Sequence, residues 1–404
     1  MSGLYIKRIG EVAKVKGGKR LPKGMEVQDE ETIHPYLRVV DFGLDGIDRS
    51  DIKFISPEAF EYVSRYTIIR DDIYVSIAGT IGRVGIVPDD LSGANLTENA
   101  AKLTEISKDV DNHYLLYFLR SAAGQGALQG KAGGTSQPKL ALFRIEEIEF
   151  PCPPLREQRK IAEILSAYDD LIENNRRRMA LLEEAARQLY REWFVRLRFP
   201  GHEHTRITNG VPEGWEKCCI REFGDVVTGK TPSTKDADNY GGEILFIKTP
   251  DMHGNVFVIE TETRLTEKGA NTQPGKFIPT NALLVSCIGT IGVVSLTSAP
   301  SQFNQQINAV VPFEDSYRYY CFFAFKDLKD SMEAIGGGAT MGNVNKKKFE
   351  SLKVLKPSMP LLREFHEFCN PLFQQIQVLS YQNQKLRAAR DLLLPRLMNG
   401  KIAV

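Results

Sequence analysis

The sequence has no excess of either charge. Its 52 basic residues face 51 acidic ones, for a net charge of +1. Gripping nucleic acid by bulk charge alone is therefore excluded, while local basic patches remain open. No apolar run approaches the roughly 20 residues needed to cross a bilayer, so no membrane role is expected. Residues Met1 to Gly10 lack the apolar stretch of a secretory signal. Cysteine is sparse: the six are scattered with no Cys-x-x-Cys spacing, which fits a reducing, cytoplasmic compartment and not a structural zinc site. His202 and His204 share a linker but have no further ligand beside them, so no metal is expected. Walker-type phosphate loops, cofactor-binding glycine loops and nuclease-like carboxylate clusters are also missing, and an enzyme in its own right is not expected.

What the chain does have is a repeat. Ser76-Ile77-Ala78-Gly79-Thr80-Ile81-Gly82 returns as Ser286-Cys287-Ile288-Gly289-Thr290-Ile291-Gly292. Tyr36-Leu37-Arg38-Val39-Val40-Asp41 returns as Phe246-Ile247-Lys248-Thr249-Pro250-Asp251, in the same register of 210 positions. Two motifs held in one register imply a duplicated structural unit, and two copies of a recognition module can read two halves of a bipartite target. At 404 residues there is room for two or three domains.

Each half reads as a mixed region followed by a long helix. Short β-type runs, Ile73 to Ile77 and Arg83 to Val87, are punctuated by glycine and close at Pro88-Asp89-Asp90. A helix is expected over Asn112 to Ala122, then a glycine-rich connection over Gly124 to Gly134 and a final strand. Beyond Pro151-Cys152-Pro153-Pro154 the period changes. Ile161, Tyr168, Asn175, Leu182 and Leu189 recur every seven residues, predicting an amphipathic helix of roughly 40 residues. Asn175 falls on the apolar stripe, where a buried asparagine fixes register. In the second half Phe365, Leu372, Leu379, Leu386 and Leu393 show the same spacing. There Pro371 is expected to kink or restart the helix, and Pro395 with Gly400 to end it. The fold class is α+β. Two similar α/β domains are separated and followed by two long helices, packed as an antiparallel coiled coil with pseudo-two-fold symmetry. By position, the domains are residues 1–153 and 200–359 (the latter with its linker), and the helices 154–199 and 360–404.

Several pairs of positions point to nucleic acid. Lys16-Gly17-Gly18-Lys19-Arg20 and Gly229-Lys230-Thr231 open the two modules alike, and Arg38 matches Lys248 in charge. The glycine loops Gly133 to Gln137 and Gly336 to Thr340 occupy equivalent places, each followed by basic residues: Lys139 and Arg144, then Lys346-Lys347-Lys348. Ser136, Gln137, Thr231, Thr340, Asn343 and Asn345 can hydrogen-bond base edges or phosphates, while lysines meet phosphates. A flexible solvated turn is the plainer account of these loops. Gly79 to Gly85 superficially matches a phosphate loop, but β-type residues flank it on both sides, so a glycine-kinked hairpin is expected. Asn370-Pro371-Leu372-Phe373 is a near miss to the Asn-Pro-Pro-aromatic motif of amino-methyltransferases, set on a helical stripe where it could not grip a base. Residues 42–65 and 252–275 hardly resemble each other, as suits two modules reading different sequences.

This layout resembles the specificity subunit of type I restriction–modification systems over essentially the whole chain. The motifs are the Ser-x-x-Gly-Thr-Ile-Gly element at 76–82, its copy at 286–292, the Pro-x-Pro-Pro-Leu-x-Glu-Gln element at Pro151 to Gln158, and the closing Leu394 to Ile402 segment. One departure is Leu362-Arg363-Glu364-Phe365, which lacks the glutamine. The resemblance implies a non-catalytic subunit whose two target-recognition domains each read half of a split double-stranded DNA site. It also implies helices that set the gap and hold two methyltransferase subunits, which use S-adenosylmethionine. Motor-nuclease subunits, using ATP and magnesium, can join. The alternative is a coiled-coil interaction scaffold with two β-rich ligand-binding modules, which explains the repeat but not the paired basic positions.

Overall fold

The computed structural model describes residues 5–43, 46–49, 51–133, 138–337, 342–402 and 404. They form two compact units, Met1–Ile172 with Lys385–Val404, and Glu173–Gln384. Each unit contains one copy of the module and a stretch of each of two long helices.

In the first unit, Tyr5–Arg8 pairs antiparallel with Glu149–Cys152 and so ties the two ends of the module together. Between them lies an antiparallel sheet in the order Lys14–Gly17, Ala100–Thr104, Ile73–Ser76, Val84–Ile86. The strand Ile73–Ser76 is buried on both faces because side chains alternate across a strand. Ile73 and Val75 pack toward the helix Asn112–Arg120, while Tyr74 enters a second cluster with Leu37, Phe42 and Leu96. That cluster lies under a smaller sheet in which Pro35–Leu37 pairs antiparallel with Lys53–Phe54 and parallel with Asn95–Leu96.

The second unit repeats this order. Glu216–Cys219 pairs with Lys353–Lys356. The main sheet runs Gly224–Thr228, Ile307–Pro312, Leu283–Ser286, Val294–Thr297, with Phe257–Val258 added parallel at its edge. The added strand comes from the divergent stretch and has no counterpart among the described residues of the first module, whereas both modules carry a short helix there, Pro57–Val63 capped by Ser56 and Glu267–Asn271 capped by Thr266. A shared frame with unlike inserts is thus present in three dimensions.

The repeated Ser-x-x-Gly-Thr-Ile-Gly element is a hairpin turn, as expected. Ser76 Oγ accepts from the Arg83 amide at 2.8 Å, and Ser286 Oγ from the Val293 amide at 2.9 Å. Gly79 and Gly82, like Gly289 and Gly292, take positive φ, where a side chain would strain the backbone.

The first long helix spans Leu155–Tyr190 and continues into a π-helical turn, Arg191–Val195. The extra residue of that turn lets two consecutive aromatics, Trp193 and Phe194, both face the core. The second spans Met359–Met398 without a break, so Pro371 does not restart it. Pro371 is exposed and sacrifices one hydrogen bond, while Phe365, Cys369, Phe373 and Ile376 anchor the opposite face in the core. Burial of such side chains contributes about 1.5–3 kcal/mol each, against about 3 kcal/mol for an interior proline. Pro395 also lies inside the helix, and Gly400, at φ +69°, follows its end.

Within each unit the helical segments run antiparallel. In the first, Ile161, Ala162 and Leu165 share a core with Leu394 and Leu397. In the second, Asn175 Nδ2 donates to Asn383 Oδ1 at 2.9 Å, and Tyr190 and Trp193 meet Phe365. Ile161 and Asn175 are buried as expected, whereas Tyr168, Leu182 and Leu189 are half-buried. On the second helix Phe365 and Leu379 are buried, but Leu372, Leu386 and Leu393 are half-buried, while Cys369, Ile376, Asn383, Arg390 and Leu397 form a second buried row.

The glycine-rich stretch Gly124 to Gly134 is in part helical. Its first half is the helix Ala122–Gly130, started by Ser121, whose Oγ accepts from the Gly124 amide at 3.2 Å. Gly124 is required by packing, not flexibility: a Cβ there would lie 2.2 Å from the Phe118 carbonyl oxygen.

Candidate nucleic-acid interface

In each module four connections that are far apart in sequence come together at one end of the main sheet. In the first they are the opening turn at Gly18-Lys19-Arg20, the turn Thr97-Glu98-Asn99, the hairpin tip around Ala78-Gly79-Thr80, and the base of the glycine loop at Gly133 and Lys139. The amide of Lys19 donates to Leu96 O at 2.8 Å, and that of Ile77 to Asn99 O at 2.8 Å. Ala78 bridges to Lys139, and Lys139 exchanges backbone bonds with Gly133 at 2.9 and 3.1 Å.

The second module builds the same arrangement. Lys230 N donates to Phe303 O at 3.0 Å, Cys287 N to Gln306 O at 2.7 Å, and Ile288 bridges to Asn343. Thr231 Oγ1 donates to Gln305 Oε1 at 2.6 Å, linking the opening turn to the polar turn Asn304-Gln305-Gln306. The structure therefore joins Lys19, Arg20 and Lys139 into one polar surface, and Lys230, Thr231 and Asn343 into its counterpart. The turns at 97–99 and 304–306 complete it. Their sequences differ too much for the repeat to have flagged them. Ser136, Gln137 and Thr340 lie outside the described residues.

The other candidates are held differently. Arg38 is tied to Asp41 at 2.7 Å and Asp51 at 3.1 Å, and Asp41, ahead of Asp51, pushes its pKa further up. Asp41 also accepts from the Arg38 amide at 2.7 Å, just as Asp251 accepts from the Lys248 amide at 2.8 Å. The repeated aspartate thus closes its own turn. Lys248 Nζ donates to Thr263 Oγ1 at 2.7 Å, so neither cation of this pair is freely offered to a ligand. Lys16 bonds Glu105 at 2.9 Å, and Lys14, then Lys16, holds that carboxyl down to about 2. Arg20 stands 3.8 Å from Glu98 and is largely exposed.

Lys346, Lys347 and Lys348 form the first turn of the helix Lys346–Glu350. Asn345 caps it by accepting from the Lys348 amide at 3.0 Å. Lys348 Nζ reaches back to Ile335 O at 2.8 Å, as Arg144 reaches Lys131 O at 2.6 Å in the first module. These two cations brace the glycine loops, leaving Lys346 and Lys347 as the outward pair; Lys346 is within 3.4 Å of Glu350.

Along the long helices the buried seam leaves Leu171, Leu181, Phe368, Val378 and Leu392 exposed. Asn370 Oδ1 accepts from Tyr319 Oη at 2.8 Å inside the second helix, so the Asn-Pro near miss is structural. Among the described residues no group of His, Cys, Asp or Glu could hold a metal ion, and no helix is long and apolar enough to cross a membrane.

Comparison with known proteins agrees with this geometry. The family model for the type I restriction modification DNA specificity domain matches twice, over residues 1–184 and 212–386. The chain is 30% identical over 330 residues to the type I restriction enzyme HindI specificity subunit of Haemophilus influenzae, covering 66% of this chain and 71% of that one. It is 26% identical over 364 residues to the MjaIX specificity subunit of Methanocaldococcus jannaschii, covering 87% and 82%. The crystal structure of the type I restriction-modification S subunit from M. genitalium superposes with a TM-score of 0.52 at 17% identity, covering 98% of this chain and 96% of that one, a likeness of fold.

Proposed function

Because the chain belongs to the type I restriction–modification DNA specificity family, we propose that each module reads one half of a bipartite DNA site and that the long helices set the gap between the halves. The chain is the DNA sequence-specificity subunit, with two recognition domains, and the family is non-catalytic. The observation that carries the reading is the doubled loop cluster: one polar, partly basic surface per module, built on the same backbone frame from different side chains. Phosphate contacts from Lys19, Arg20, Lys139, Lys230, Lys346 and Lys347 position each module. The polar turns at 97–99 and 304–306 would then read base edges.

The recognition domains correspond to residues 1–153 and 200–359, and the helices to 154–199 and 360–404. Apolar side chains left exposed along the helices, Leu181 and Phe368 among them, support docking of two methyltransferase subunits there. Those partners would supply S-adenosylmethionine, and motor-nuclease subunits ATP and magnesium. Six buried thiols, all unpaired, suit a reducing compartment such as the cytoplasm.

Sequencing of methylated bases in cells expressing this chain with its methyltransferase partner tests the reading. A methyladenine motif split by a fixed non-specific gap is expected. A continuous motif, or none that depends on this chain, would refute it.

A further inference from the structure

We propose that the first module contains a pocket for one DNA backbone phosphate that the second module lacks; the idea rests on the DNA-specificity reading. Beside the opening turn is a cavity of about 230 Å³ whose lining includes Lys16, Gly17, Arg65, Tyr66 and Lys102. Lys102 Nζ is fixed at 2.7 Å from Asp72, itself 2% exposed, so one ammonium is built into the pocket wall. Lys16 is oriented by Glu105 at 2.9 Å. Lys19 stands 6.0 Å from the centre of the Tyr66 ring. Arg65 is exposed and has no ion pair among the described residues.

The balance of charge decides what such a pocket prefers. Of the lining residues Lys16, Arg65 and Lys102 are cations, against Asp72 and Glu105 as the anions paired with them, so the site is net cationic in a chain with almost no net charge. Ammonium and guanidinium groups donate hydrogen bonds and cannot accept them, which matches phosphate oxygens; of the base edges only the two acceptors of guanine would suit them, and the test below separates the two. Size points the same way. Pockets for larger organic ligands run to about 300–1,000 Å³, so this one suits a phosphodiester group and is too small for an extruded nucleotide.

The duplication supplies an internal comparison. Lys19 N on Leu96 O corresponds to Lys230 N on Phe303 O. Asn95 Nδ2 on Val63 O corresponds to Gln302 Nε2 on Ala270 O. In that frame Val227 and Ala309 stand in place of Lys16 and Lys102. Gln273 replaces Tyr66 and directs its amide inward, to Lys230 O at 2.6 Å and Gln302 Oε1 at 3.0 Å. Lys16 and Lys102 are thus specific to the first copy, whereas Lys19 has its counterpart in Lys230, so the two strand lysines are not a requirement of the shared fold.

The test uses the assembled methyltransferase complex and duplexes carrying its own methylation motif, followed by fluorescence anisotropy. Arg65→Ala should weaken binding to matched and mismatched duplexes alike and lower the slope of log affinity against log salt by roughly 0.9. Arg65→Lys should restore the slope. Replacing phosphates of the first half-site one at a time by uncharged methylphosphonate should reveal one position that costs the wild type several-fold and Arg65→Ala nothing further. An unchanged slope, or equal losses for both proteins at every position, would overturn the proposal, as would a selective loss of preference at the first half-site, which would mean base reading. A wild-type complex with no preference for the motif would instead sink the DNA-specificity reading, and the pocket with it.

Discussion

At the scale of single residues, the pairing of Asn175 with Asn383 shows how polar groups can specify an apolar seam. Both are buried, and each side chain is placed so that the other satisfies it at 2.9 Å. Removing one partner breaks this buried hydrogen bond, which costs about 1–3 kcal/mol, while replacing both can be nearly neutral. Asn175→Leu or Asn383→Leu alone is therefore expected to lower unfolding free energy by that amount. The double variant should recover most of it in a denaturation cycle; additive losses would mean that the pair is not coupled. The sequence signalled Asn175 because it interrupts a heptad of apolar residues. It did not signal Asn383, because the heptad leucines beside it drew a stripe that is only partly the buried one: Phe365 and Leu379 are buried, Leu386 and Leu393 half-buried.

The lysines at 346–348 can be separated by the same logic. Cations on the first turn of a helix face the positive end of its dipole, so this placement costs stability unless an anion lies nearby. Replacing Lys346 and Lys347 by alanine should lower the salt slope of DNA binding by up to about 1.8, at roughly 0.9 per contact, without relaxing base preference. Lys348→Ala should leave the slope unchanged and cost about 1 kcal/mol in thermal unfolding, because its partner is Ile335 O. A slope that falls only with Lys348→Ala would reverse the assignment.

At the scale of elements, the two long helices followed from periodicity alone, since an amphipathic stripe is a sum over many residues. Their details did not. Pro371 lies inside a helix because tertiary packing outweighs one lost hydrogen bond. The missing glutamine has a structural reason too. Gln158, fully buried, bonds the Asp111 amide at 2.9 Å and Pro153 O at 2.7 Å. Its counterpart Phe365 instead enters an aromatic cluster with Tyr190, Trp193 and Phe194. If the helices act as a spacer, a heptad added to each, beside Asn175 and beside Asn383, keeps the seam intact and lengthens it by about 10 Å. The recognised gap should then grow by about three base pairs at 3.4 Å each, with the bases unchanged. Methylation-site sequencing that finds the original gap in an active variant would contradict the spacer.

At the scale of the whole molecule, the repeat was legible because two motifs kept one register. The surfaces that differ between the copies were not, since specificity lies in side-chain geometry on loops the repeat does not share. Independent modules make a direct prediction. Exchanging residues 1–153 for those of a relative should change one half-site of the methylated motif and leave the other as it was. Both half-sites changing together would show that the modules are read as one.

The make-up of the two compact units also bears on how the chain acquires its structure during synthesis. The second unit, Glu173–Gln384, is one uninterrupted stretch, whereas the first needs residues 385–404 to join residues 1–172. Leu394 and Leu397 supply part of the core around Ile161 and Leu165. The part made first is therefore finished last. While the ribosome is still working through the second unit, the earlier one waits with an uncovered apolar helix face, and that interval is when the nascent chain is most open to misassociation and to capture by chaperones.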